Sequence, residues 1–134
     1  MVTGRKFPKK GRLDSRKQIE MLFGGGGSLS MAAFPLRVVY IKKERARGDV
    51  PVQLLVSVSK RHFKHAVDRN RAKRQIREAY RLNKQILSTP EGLALHVAFI
   101  WLSDMPLPSE QVHKKMKALL KSINLKINDS AEVD

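Results

Sequence analysis

Residues 60–81 read KRHFKHAVDRNRAKRQIREAYR, nine Lys or Arg against Asp68 and Glu78, which is about half of the chain's net surplus of +15. Side chains of this type at this density bind phosphate. Wound at about 100° per residue with Arg69 at zero, the run from Ala66 onward puts Ala72, Ile76, Ala79, Tyr80, Ile86 and Leu87 on one arc. Asn70, Lys73, Arg74, Arg77 and Arg81 fall on another, between about 40° and about 140°. A solvated helix face normally mixes signs so that i,i+4 pairs of Glu and Lys support it. Here Lys73, Arg77 and Arg81 stack like charges at that spacing, a mild destabilisation that a bound polyanion would relieve. After Ala66 the cations are five Arg and one Lys, and the planar guanidinium fork suits phosphate oxygens and stacked bases better than an ammonium does. Arg69 is the exception, because it falls on the apolar arc at the helix start. It must reach past the helix end to a protein or RNA partner, or else the helix begins later.

Other chemistries have no residues to carry them. With zero Cys, disulfide scaffolds, thiolate zinc sites and cysteine nucleophiles are excluded. His62, His65, His96 and His113 show no ligand spacing with carboxylates, so no metal site is expected, and His62 and His65 read as polar contacts in a basic loop. Asp14, Glu20, Asp68 and Glu78 form no carboxylate pair for acid/base work, and no Ser-His-Asp arrangement is legible. Gly24 to Gly27 lacks the Lys and the helix that follow a P-loop glycine run. No catalytic residue and no small-molecule substrate are expected.

The elements that must hold the basic segment can be read from periodicity. Residues 1–12 carry Arg5, Lys6, Lys9, Lys10 and Arg12 among Gly and Pro and read as a mobile basic arm. A short amphipathic helix follows at 16–23, with Ile19, Leu22 and Phe23 at i, i+3 and i+4, and the four glycines stop it. Residues 34–41 form a strand with Leu36, Val38 and Tyr40 on one face and Arg37, Val39 and Ile41 on the other. The charged stretch 42–49 suits a hairpin connection to a second strand, 52–59. There Val52, Leu54, Val56 and Val58 share one face, and Gln53, Leu55, Ser57 and Ser59 the other. A shorter strand over 29–33 has little local support. The basic helix spans 66 to about 87, a buried strand with Phe99 and Trp101 spans 93–102, and a last helix begins near Ser109 with Val112, Met116, Leu119, Leu120 and Ile123 on one stripe. Residues 128–134 read as a frayed tail, leaving 13–127 as one α+β domain.

At 134 residues and 42% hydrophobic the chain can bury one core. No apolar run approaches the roughly 18 residues of a membrane span, and no secretory signal is visible, so a cytoplasmic protein is expected. Among polyanions, nucleic acid ranks ahead of an anionic membrane surface and acidic proteins, because phosphates along a backbone reward dispersed cations through counterion release.

The string Ser57-Val58-Ser59-Lys60-Arg61, with Ala66-Val67, Arg69-Asn70-Arg71, Lys73-Arg74 and Arg77-Glu78 after it, resembles the signature of the protein subunit of bacterial ribonuclease P. The resemblance implies a compact α-β-β-β-α-β-α sandwich similar to the second domain of ribosomal protein S5, with a left-handed β-α-β crossover. It also implies that the chemistry, removal of the 5′ leader from precursor tRNA, is done by an RNA subunit holding Mg²⁺, while the protein binds no cofactor and positions RNA. By motif, Lys60, Arg61, Arg69, Asn70, Arg71, Lys73, Arg74 and Arg77 would contact the catalytic RNA. Ile19, Phe23, Val38, Tyr40, Ser57 and Ser59 would line a cleft for the single-stranded leader of precursor tRNA. Phe23 and Tyr40 fit a core as well as a stacking platform. The alternative functions are a ribosomal or general RNA-chaperone protein with no role in cleavage and, less favoured for want of an acid/base or metal cluster, a stand-alone nuclease.

Overall fold

A computed structural model describes residues 28–133, with side chains as far as Asn128. The basic arm 1–12, the helix expected at 16–23 with Ile19 and Phe23, and the glycine run lie outside the described residues. Among the described residues four strands, β1 (Leu29–Ala33), β2 (Leu36–Glu44), β3 (Val52–Ser57) and β4 (Leu93–Trp101), and two helices, α1 (Ala66–Asn83) and α2 (Ser109–Val133), follow in the order β-β-β-α-β-α. A single 3-10 turn at Lys84–Ile86 ends α1 earlier than the apolar pattern through Leu87 indicates.

The sheet runs β1-β2-β4-β3. The weakly supported strand 29–33 is present and pairs with β2 through a turn at Phe34 and Pro35. β2 and β3 are not hairpin partners, as the 42–49 connection suggested, because β4 lies between them, antiparallel to β2 and parallel to β3. The physical reason is burial. β4 is apolar on both faces, with Ala94 through Phe99 and Trp101 all buried, so it takes the centre and leaves the half-buried β3 as an edge. α1 is the crossover between the two parallel strands.

Both helices lie on one face of the sheet. Ala72, Ile76, Ala79 and Tyr80 of α1 and Val112, Met116, Leu119, Leu120, Ile123 and Ile127 of α2 pack on Leu36, Val38, Tyr40, Leu54, Val97, Phe99 and Trp101. Phe99 and Trp101 are fully buried, as expected for the apolar strand over 93–102. α1 covers the β3 side and α2 the β1 and β2 side. The other face carries a smaller cluster, Val39, Ile41 and Ala98, with Leu55 and Ile100 against it. α2 continues through the expected tail, and Asn128 is tied down: its Nδ2 donates to the carbonyls of Asn124 at 2.8 Å and Ser88 at 3.2 Å. Among the described residues no helix is long and apolar enough to cross a membrane.

Candidate nucleic-acid interface

α1 begins at Ala66, with His65 in extended backbone before it and no side-chain cap. Its start is held from behind. Phe63 is buried against Trp101, ring centroids 6.2 Å apart, which fixes the loop carrying Lys60, Arg61 and His62 to the core. Arg69 resolves the difficulty of its position by folding back, its Nη1 donating to the carbonyls of Phe63 at 2.9 Å and Lys64 at 3.0 Å. The helix therefore starts where periodicity places it, and the Arg69 guanidinium braces the loop.

With one arc committed to the core, the outward arc of α1 carries the exposed Asn70, Arg71 and Arg74, flanked by half-buried Lys73 and Arg77. Arg71 and Arg74 have no ion-pair partner among the described residues. They border a shallow cleft of about 360 Å³ with Gln75, Glu78 and Ser109, where α1 meets the start of α2. Gln75 joins the two helices, its Nε2 donating to the Leu107 carbonyl at 2.8 Å and Ser109 Oγ at 3.1 Å, while its Oε1 is buried without a partner. The like-charge stack is relieved at one end, because Arg81 donates to both carboxylate oxygens of Glu78, at 3.1 and 2.6 Å. That pairing raises the Arg81 pKa further, first through the hydrogen bond and then through the charge. The ridge available to an anion is thus Asn70, Arg71 and Arg74, with Lys60 and Arg61 exposed on the loop beside it.

Of the residues expected to line one leader cleft, the four that are described, Val38, Tyr40, Ser57 and Ser59, are not brought together. Val38 and Tyr40 have no exposed surface and face the helices, and burial raises the pKa of the Tyr40 hydroxyl. Ser57 is in register with Ile100 and through it with Arg37, on the opposite face, and Ser59 lies exposed beyond the end of β3, accepting from the Arg61 amide at 3.0 Å. Alternation alone forbids Val38 and Ser57 from sharing a surface in this register, so Val38 and Tyr40 are core residues.

A contact that sequence reasoning missed joins His62 Nδ1 to Asp104 Oδ1 at 2.7 Å, with Asp104 largely exposed. The partners are separated by 42 positions, and no local pattern links them. No group of three or more His, Asp or Glu that could hold a metal occurs among the described residues.

The described residues thus form a small α+β domain that packs one arc of a helix on its sheet and turns outward, from the other, arginines with no ion-pair partner among the described residues, a cationic surface of the kind that suits a polyanion. A family model described as Ribonuclease P matches residues 7–124. The chain is 37% identical over 126 residues to the ribonuclease P protein components of two strains of Porphyromonas gingivalis, covering 92% of this chain and 90% of each relative. It also shares its fold with the solved RNase P protein from Thermotoga maritima, with a TM-score of 0.64 at 22% identity, over 83% of this chain and 96% of that one. The chain belongs to the ribonuclease P protein family.

Proposed function

We propose that the chain is the RNA-binding accessory subunit of a ribonuclease P ribonucleoprotein and assists removal of the 5′ leader from precursor tRNA, with RNA and its Mg²⁺ performing the hydrolysis. The observation that carries this reading is the outward arc of α1, where Asn70, Arg71 and Arg74 are exposed and the two arginines have no ion-pair partner among the described residues. Forked donors on a rigid helix position a phosphate backbone without reading its sequence, and Asn70 adds a donor and acceptor beside them. Lys60 and Arg61 extend the contact along the loop that Phe63 anchors, Lys73 and Arg77 flank it, and Arg69 acts through the loop it braces.

The leader belongs on the sheet face turned away from α1 and α2, where Ser57 and Arg37 align across Ile100 beside Leu55. A polar and cationic fringe on an apolar floor accepts unpaired bases of any sequence, as an enzyme for many leaders requires. Ile19 and Phe23 are further candidates for contact with the leader.

Reconstitution tests the reading. Full-length chain, a bacterial ribonuclease P RNA and precursor tRNA are mixed at low Mg²⁺ and leader removal is measured. Stimulated cleavage at the leader junction is expected, and RNA binding without stimulation would instead mark an RNA chaperone.

A further inference from the structure

A second feature of the α1 surface continues from the flank of the arginine ridge. On the helical projection Lys73, Lys84 and Arg77 fall at about 40°, 60° and 80°, on the flank of α1 opposite Gln75 and hence remote from α2. Because α1 covers the β3 side of the sheet and β3 is an edge strand, this row runs above the open edge of β3 for about 16 Å of helix. At its far end is a cleft of about 380 Å³ bounded by Arg45, Pro51, Val52, Tyr80, Lys84, Leu87 and Thr89.

The walls divide by chemistry. Val52, Leu87, Pro51 and the Tyr80 ring give an apolar floor, and Arg45, Lys84 and Thr89 give cations and a hydroxyl at the rim. Burial pushes the Tyr80 hydroxyl up to about 12, so it stays protonated. Lys84 alone has a bland explanation, since a cation at a helix C-terminus complements the macrodipole. Arg45 does not. Its Nε is buried at the cleft and makes no hydrogen bond among the described residues, an unmet donor that an anion seated there would satisfy. The volume suits one small ligand, and two cations over an apolar floor suit an unpaired base with its phosphate.

We propose that this cleft receives a single extruded nucleotide of the RNA partner, with its phosphate between Arg45 and Lys84 and its base against Val52 and Leu87, so that the strand leaves the arginine ridge along Lys73 and Arg77. The inference rests on the RNA-binding reading above. It concerns a site at the opposite end of α1 from Arg69-Asn70-Arg71.

The chain contains no Cys, so Thr89→Cys supplies a single attachment point for a photoactivatable aryl azide. In the complex of full-length chain with a ribonuclease P RNA, illumination should crosslink this position to one short stretch of RNA. Ser122→Cys, on the exposed side of α2, is the control. Thr89→Trp fills the cleft and leaves every charge in place, and it should weaken RNA affinity about tenfold. It should also reduce the slope of log K against log salt by about 0.7, the value for one single-stranded phosphate contact. Crosslinking no stronger than that of the Ser122→Cys control, or unchanged affinity and slope for Thr89→Trp, overturns the site while leaving the arginine-ridge reading intact. Failure of the unsubstituted chain to bind the RNA overturns both.

Discussion

Arg69 and Arg74 are the same residue type on the same helix, less than two turns apart, and the structure assigns them different work. The Arg69 guanidinium is spent on the carbonyls of Phe63 and Lys64, whereas Arg74 is exposed with no partner among the described residues. Arg69→Ala should therefore cost about 1–2 kcal/mol of stability, since it removes charge-assisted bonds and leaves a part-buried carbonyl without a donor. Arg74→Ala should stay within about 0.5 kcal/mol of the parent, as surface changes usually do. Both should weaken RNA binding, the first through a loosened loop and the second through a lost phosphate contact. Urea unfolding beside RNA titration separates the two. Equal stabilities would mean that Arg69 does not brace the loop and serves the RNA directly.

At the scale of elements, β4 organises the sheet and also contains, among the described residues, the most deeply buried titratable group outside the tyrosines. His96 is 3% exposed, its Nδ1 has no partner, and Ile41 and Gln53 are its cross-strand neighbours. Burial lowers its pKa, Lys43 lowers it further, and Asp49 opposes them. A histidine whose folded pKa is depressed is neutral in both states above its ordinary value of 6.5, so it contributes no penalty there. As pH falls through 6.5 the unfolded chain takes up the proton first, and stability declines until the folded pKa is passed. His96→Val should flatten the loss of stability between about pH 7 and pH 5 relative to the parent chain, as read from urea midpoints at each pH. An identical decline in both proteins would show that His96 accepts its proton without cost.

The same strand shows what a sequence can and cannot reveal. α1 and α2 were legible because a helix writes its buried arc into local spacing, and β2 and β3 because alternation divides each into two faces. Alternation within a strand says nothing about which face of one strand lies level with which face of another. That relation comes from register through β4, which lies more than 30 positions beyond β3 in the chain. Val38 and Tyr40, expected beside Ser57 in one leader cleft, lie on the other side of the sheet from it for this reason. The His62–Asp104 contact was invisible for the same non-local reason. The basic arc is contained in one helix, so its exposed members Asn70 and Arg74 were legible locally, whereas the fold-back of Arg69 onto the loop was not. The pairing of Arg81 with Glu78 follows an i,i+3 spacing that could have been read in advance.

For the molecule as a whole, the question is whether +15 acts as a uniform cloud or through placed contacts. A diffuse field accelerates encounter and is screened beyond about 8 Å at physiological salt, while each seated phosphate contact releases condensed counterions and adds to the salt slope of the equilibrium constant. The two helices offer a matched comparison. Arg71 and Arg74 are exposed on α1, Lys114 and Lys117 are exposed on α2, and each pair removes the same charge when replaced by Ala. If the α1 pair seats two phosphates, Arg71→Ala with Arg74→Ala should lower the slope of log K against log salt by about 1.4 to 1.8. Lys114→Ala with Lys117→Ala should slow association at low salt but change the slope by less than about 0.5, because strongly hydrated ammonium groups on flexible stems contribute field without seating a phosphate. Filter-binding isotherms across a salt series, with association rates from stopped flow, give both quantities. Equal slope changes for the two pairs would mean that position on the molecule is irrelevant and that net charge alone holds the RNA. A large difference would place the equilibrium contact on α1 and leave α2 the kinetic role of drawing the RNA toward it.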